Sequence, residues 1–453
     1  MRTSVPPIVF LAATFYGIWA QAQTLDGLWL SDGGNVLYEV KGDALRTFEI
    51  TAISRIPAWK VLGEGDPAGG GAVVFAQGAG MRRLTLDTPN TARLQSDCSV
   101  ADILLRRAQQ PLKSYGEFLD NTPQTSYAVF WETFAENYPF FELHHVDWAA
   151  VDREFRPQVT ATTSPDALFR ILRKMIGPLH DAHTSLSAPD IKQQFRGYRP
   201  NPNQLQYNDW VRSALIIATK YVRGNMQYYC KNQISFGMLD RSIGYLKMWS
   251  FDNYADTPDY AAQLRALEAA LDTIFRDSEK LRGFVIDVRL NTGGYDGLGL
   301  SIASRLASRD YLAYSVEVRD NIDGPLRFSK PQAIRVRASG RPGFHGNVVL
   351  LTGNQCVSAG ETFTMALLGR NPIVTRIGEN TQGVFSDVLT RRLPNGWVFG
   401  LPNEIYLTEE GNAFDGSGVP PDISLPVFPR EDLQNGHDSA LEKALQVLSN
   451  QRR

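Results

Sequence analysis

The chain of 453 residues is expected to fold as an α/β protein, with a β-rich N-terminal domain and a helical subdomain ahead of an α/β core. Three observations predict this. Residues 25–110 carry short alternating runs, "NVLYEV", "LRTFEI", "GAVVFA" and "RRLTL", broken by Gly, Asp and Pro clusters, which is antiparallel β patterning. From about Leu112 to Leu186 the apolar spacing becomes helical. Beyond that, "GFVIDVRL" and "NVVLLTG" are continuous apolar, β-branched runs, each followed by a helix pattern, as in a parallel sheet covered on both faces.

Taken in order, residues 1–22 read as a cleavable signal peptide. Arg2 supplies the positive end, "VPPIVFLAATFYGIWA" the apolar stretch, and Ala20-Gln21-Ala22 the A-x-A cleavage site. The apolar stretch is short and interrupted by Pro6 and Pro7, which disfavours a membrane anchor. A periplasmic or secreted protein is therefore expected. Residues 23–110 form the β-rich domain, with "GEGDPAGGGA" as its loosest loop. Residues 111–190 form the helical subdomain: "SYAVFWETFAENY", "WAAVDREFRPQV", and "PDALFRILRKMIG" opened by the cap Ser164 and Pro165. Residues 191–453 form the core. There "ALIIATKYV" and "SIGYLKMWSF" read as strands, while "DYAAQLRALEAALDTIFRD" and "SALEKALQVLSNQ" read as amphipathic helices.

Composition narrows the partners. The formal charge is −2, and −3 once Arg2 leaves with the signal peptide, too near neutral for nucleic acid or an anionic membrane. No later apolar run is long enough to span a bilayer. Cys98, Cys230 and Cys356 are an odd set, so an oxidising compartment leaves at least one thiol free. The sequence assigns no cofactor, no metal and no oligomeric state.

The chemistry concentrates in four short stretches. "CVSAGETF" places Ser358 between a strand-like and a helix-like run. Its S-x-x-E pattern with Glu361 reads as a capping box, and equally as a nucleophile on a strand-to-helix turn. The two are compatible, because a helix N-terminus offers unpaired N–H groups to an oxyanion. "GPLHDAHTSL" supplies His180 and His183 as possible bases, each also readable as a hydrogen-bonded turn histidine. An H-x-x-H metal site, with His144 and His145, lacks the accompanying carboxylate motif. Gly293-Gly294 in "DVRLNTGGYDG" follow a strand at its C-terminal end, where bare N–H groups meet ligands. "FDGSGVPPDISL" is a carboxylate loop rich in Gly and Pro.

In sequence, "LHDAHTSL", "GFVIDVRLNTGGYDG", "VVLLTGNQCVSAGETF", "RIGENTQGVF" and "DGSGVPPDI" resemble the signatures of the C-terminal-processing (tail-specific) serine protease family over residues 112 to 428. The resemblance implies a crotonase-like ββα protease core. Bacterial members use a Ser–Lys dyad, but their lysine position is Val384 here and no lysine lies between Lys330 and Lys443. The chain is instead similar to the tricorn-like branch, related to interphotoreceptor retinoid-binding protein. That likeness implies Ser358 as nucleophile, His183 as base, Asp415 as the orienting carboxylate and the N–H groups of Gly294 and Ala359 as oxyanion donors. The branch carries glutamate at the Asp415 position and a polar residue where Ala182 stands, so Asp181 or Thr184 would have to substitute. Too few residues separate the histidine motif from the core strands to hold a PDZ domain. The implied function is an exported serine endopeptidase acting on peptide or unfolded protein. Two other readings are open: a non-catalytic peptide or hydrophobic-ligand binder on the same fold, and an α/β-hydrolase-type esterase using Ser358, Asp422 and His437.

Overall fold

Alternation between Gly27 and Arg107 resolves into a ten-stranded antiparallel sheet in the computed structural model. The structure describes residues 25–450, less 43, 59–61, 65, 68–71, 78–79, 112–119, 201–203 and 321–326. The expected signal peptide and much of the "GEGDPAGGGA" loop lie outside the described residues. One face of this sheet closes over Trp29, Tyr38, Leu45, Leu84, Leu94 and Leu105.

The helical segments begin where capping chemistry predicts. Thr122 caps Pro123–Asn137, Asp147 caps Trp148–Phe155, and Ser164 caps Pro165–Ile176 through the Ala167 N–H at 3.4 Å. Phe130, Phe134, Trp148, Phe169 and Leu172 pack together, and Trp397, Phe399 and Leu401 complete their core from far down the chain. Phe399 and Leu401 belong to, and Trp397 directly precedes, a strand of a four-stranded sheet in the order Gln193–Arg196, Ser185–Ala188, Val398–Pro402, Val388–Arg392.

The core sheet has seven strands. Arg223–Tyr229 and Ile234–Met238 enter antiparallel. Ile243–Met248, Gly283–Asp287, Asn347–Thr352, Thr375–Gly378 and Ile423–Ser424 then run parallel. Every residue of Gly283–Asp287 is buried, as the continuous apolar run required. Beneath it lies an ionic knot. Arg289 bonds Asp287 at 2.7 Å and Asp438 at 2.8 Å, all wholly buried, tying the C-terminal helix Ser439–Asn450 to the sheet.

One expected strand is a helix. All of "ALIIATKYV" but its last residue, Val222, lies in the helix Tyr207–Ile216 and the π-turn Ile217–Tyr221. Asp209 accepts the Gln206 N–H at 2.9 Å to start it, and Ile216 and Ile217 bury against Val349, Leu351 and Leu433. Packing of one apolar face outweighs the modest β preference of the isoleucines. Among the described residues no helix is long and apolar enough to cross a membrane. The three cysteines are unpaired, and burial pushes the Cys356 thiol well up, which leaves it inert.

Candidate active site

Ser358 stands where the Asn347–Thr352 strand turns into the helix Ala359–Ala366. Its φ of 55° and ψ of −124° are costly for a residue with a Cβ, on the order of 1–3 kcal/mol, and such strain collects at functional sites. The surroundings hold it there. Its N–H donates to the Val384 carbonyl at 3.0 Å, and its carbonyl accepts from Glu361 at 2.7 Å and Thr362 at 3.1 Å.

The expected capping box does not form. Ser358 Oγ makes no cap bond, because the strained turn aims it away from its own helix. Glu361 is largely diverted as well: its buried carboxylate accepts the N–H groups of Gly383 at 2.6 Å and Val384 at 2.8 Å, while the Ser358 N–H acts on it more weakly. Burial raises the Glu361 carboxyl to about 7, while those donors and Thr381 pull it down. Glu361 thus clamps the 381–384 loop, and that loop in turn holds the Ser358 N–H. The local S-x-x-E pattern shows Glu361 only as a cap partner; the chain's return at Gly383 gives it this second role.

The glycine loop approaches from the other side. Asn291 anchors it, donating to the Met248 carbonyl at 3.1 Å and accepting the Gly293 N–H at 2.9 Å. Gly293 and Gly294 have φ of 83° and 138°. A Cβ on Gly293 would stand 2.8 Å from the Ser358 Cβ, and one on Gly294 would stand 2.2 Å from the Phe251 carbonyl oxygen. Glycine is therefore required at both positions. Neither the Gly294 nor the Ala359 N–H donates to any described group, so two donors flank the serine uncommitted.

His183 follows the short helical turn Gly177–Leu179. Asp181 fixes the segment: one oxygen accepts the His183 N–H at 2.8 Å and the other the Tyr138 hydroxyl at 2.9 Å. Desolvation lowers the His183 ring to about 4, opposed by the Ser386 carbonyl, so the ring is neutral near pH 7. Burial raises the Asp181 carboxyl to about 6.

Asp415 borders Phe385, whose N–H lowers its carboxyl. Burial and the charges of Glu361 and Asp181 raise it well above the usual range. Gly416 ties this loop to the Gly383 carbonyl at 2.8 Å. The loops at 180–184, 356–361, 381–386 and 414–418 therefore meet, and adjacent residues Phe385 and Ser386 adjoin Asp415 and His183. His183 Nδ1 and Asp415 Oδ2 are both buried without a hydrogen-bond partner among the described residues. No described hydrogen bond joins Ser358 to His183 or His183 to Asp415; such contacts commonly tighten only on substrate binding.

The residues of the esterase reading are engaged elsewhere. His437 is exposed and pairs with Glu442 at 3.1 Å, and Asp422 pairs with Arg376. Among the described residues no group of His, Cys, Asp and Glu is arranged to hold a metal ion.

Residues 242–425 match the peptidase family S41 model, and residues 120–177 match the tricorn protease C1 domain. Over these segments the chain is similar to the C-terminal-processing serine protease family and to its tricorn-like branch. A carboxy-terminal-processing protease of Bartonella bacilliformis is 24% identical over 211 residues, covering 45% of this chain and 43% of the relative's own length. A candidate peptidase structure from Parabacteroides merdae superposes with a TM-score of 0.61 at 24% identity, over 73% of this chain and 97% of that one. The structure of mature CPAF complexed with lactacystin gives 0.53 at 12% identity, over 72% and 97%. Both share the fold.

Proposed function

We propose that the chain is an exported serine endopeptidase that cleaves peptide or unfolded protein through an acyl-enzyme. Similarity to this family supports the reaction class. The observation that carries the assignment of residues is Ser358 itself: a strained serine with a free hydroxyl, against Gly293 and beside two uncommitted N–H groups. In this reading Ser358 Oγ attacks the scissile carbonyl carbon while neutral His183 takes its proton. The carbonyl oxygen becomes an oxyanion and accepts the N–H groups of Gly294 and Ala359. His183 passes its proton to the leaving amine as the C–N bond breaks. Water, deprotonated by His183, then cleaves the ester and returns Ser358. Asp415 steadies the imidazolium. The A-x-A leader supports export.

A fluorophosphonate probe with mass-spectrometric mapping tests this. Labelling is expected at Ser358 and at no other residue, and is lost in Ser358→Ala. His183→Ala and Ser358→Ala each abolish peptide hydrolysis, since nucleophile and base act as a unit; His437→Ala leaves it near the wild-type rate. An inactive His437→Ala beside an active His183→Ala overturns the assignment.

A further inference from the structure

A cavity of about 780 Å³ lies between the N-terminal sheet and the Val388–Arg392 strand. It falls in the size range of ligand sites. Its N-terminal wall includes Thr47, Leu94, Ser96 and Cys98, and its opposite wall includes Val388 and Thr390. The walls are fixed against each other. Arg391 Nη2 donates to the Asn35 carbonyl at 3.2 Å and the Arg392 N–H to Glu49 at 2.8 Å, and Gln332 bonds the Asp102 backbone N–H at 3.0 Å and C=O at 2.8 Å.

A second, independent observation is a strand edge inside this space with two free N–H groups, although its Thr390 carbonyl already accepts Arg391 Nη1 at 3.1 Å. Val388–Arg392 ends its sheet, pairing with Val398–Pro402 on one side. The Leu393 N–H points to that partner, bonding Trp397 at 2.9 Å, whereas the Arg392 N–H points away, to Glu49 at 2.8 Å. Alternate residues of a strand share direction, so the N–H groups of Val388 and Thr390 also point away from the partner. No described group accepts from either, and both residues are exposed within the cavity. A free strand edge is a template for another extended chain. The same segment leads back to the serine: Val384 accepts the Ser358 N–H, and Thr390 lies up to about 20 Å further along at ~3.3 Å per residue.

We propose that this cavity is the channel that holds the substrate on one side of the scissile bond, as an extended peptide added as a strand to Val388 and Thr390. The N-terminal domain is then the channel's outer wall, which restricts entry to unfolded chains. The inference rests on the peptidase reading, and the experiment keeps the two apart.

Neutral peptides of about ten residues, long enough to run from Ser358 through the cavity, carry benzoylphenylalanine at successive positions. They are photo-crosslinked to full-length Ser358→Ala protein and mapped. Crosslinks from consecutive positions on one side are expected in 388–392 and at Thr47, Leu94, Ser96 or Cys98. Crosslinks confined to other regions, or none, overturn the channel. Thr390→Pro removes the outward N–H without touching the bonds to Val398–Pro402. It is expected to lower kcat/KM about tenfold more for the long peptide than for a short one spanning only the cut bond. An equal change for both peptides also overturns it. Fluorophosphonate labelling of the wild type reads the peptidase assignment alone: unlabelled protein that still crosslinks in the channel refutes catalysis and leaves the binding site standing.

Discussion

At Ser358 one backbone conformation separates two uses of the same residue. A capping serine has extended φ and ψ and spends its oxygen on its own helix; Ser358, at φ 55° and ψ −124°, keeps the oxygen free. The base is prepared by its surroundings in turn. Desolvation lowers the His183 ring from 6.5 to about 4, so the neutral, proton-accepting form prevails above about pH 4. The acid limb of kcat/KM, which reports the free enzyme, is therefore expected near pH 4. A limb near 6.5 in a pH–rate profile on a short peptide would mean that the working ring is solvated. The identity of Ser358 and His183 as candidates was legible because each sits in a short local motif. The diversion of Glu361 was not, because its partners Gly383 and Val384 are brought to it only by tertiary folding.

At the level of elements, legibility follows how local the signal is. Gly283–Asp287 and Asn347–Thr352 are readable because burial on both faces demands an unbroken apolar run. The segment 214–222 misleads because its isoleucines suit a strand or the buried face of a helix, and contacts with Val349 and Leu433 decide between them. That Trp397, Phe399 and Leu401 complete a helical core begun at Tyr127 has no local signature at all. The Asp287–Arg289–Asp438 knot is of the same kind, joining residues 149 apart. With Asp438 removed, Arg289 is left buried beside one carboxylate, and breaking such a pair typically costs about 3–5 kcal/mol. Asp438→Ala in a Ser358→Ala background is expected to lose stability of that order in urea unfolding. A loss below about 1 kcal/mol would show that the C-terminal helix is held by its apolar face, with Leu441 and Leu448, and not by the ions.

Across the whole molecule, buried carboxyls set how stability depends on pH. Burial raises Glu361 to about 7, and burial with the neighbouring Asp387 charge raises Glu404 to about 8, both from 4.5. The native state therefore keeps protons that the unfolded chain has already released, a contribution present at low pH and lost as pH rises through these folded values. His144 and His183 act in the opposite sense. Desolvation lowers both to about 4, so their contribution is lost as pH falls below 6.5. The two trends oppose each other below pH 6.5. Between 6.5 and 8 the buried carboxyls dominate, Asp296 among them, which burial and the Asp387 charge raise to about 7; Lys247, lowered to about 8 by burial, enters mainly above that. Stability is expected to fall across this window by on the order of 3 kcal/mol, seen as a decline of several degrees in Tm. Thermal unfolding of the Ser358→Ala protein, which cannot digest itself, checks the sign at pH 6.5 and 8. A Tm that holds or rises would mean that Glu361 and Glu404 are already ionised at pH 6.5. The Glu361 clamp on Gly383 and Val384 would then be a charged one throughout the working range.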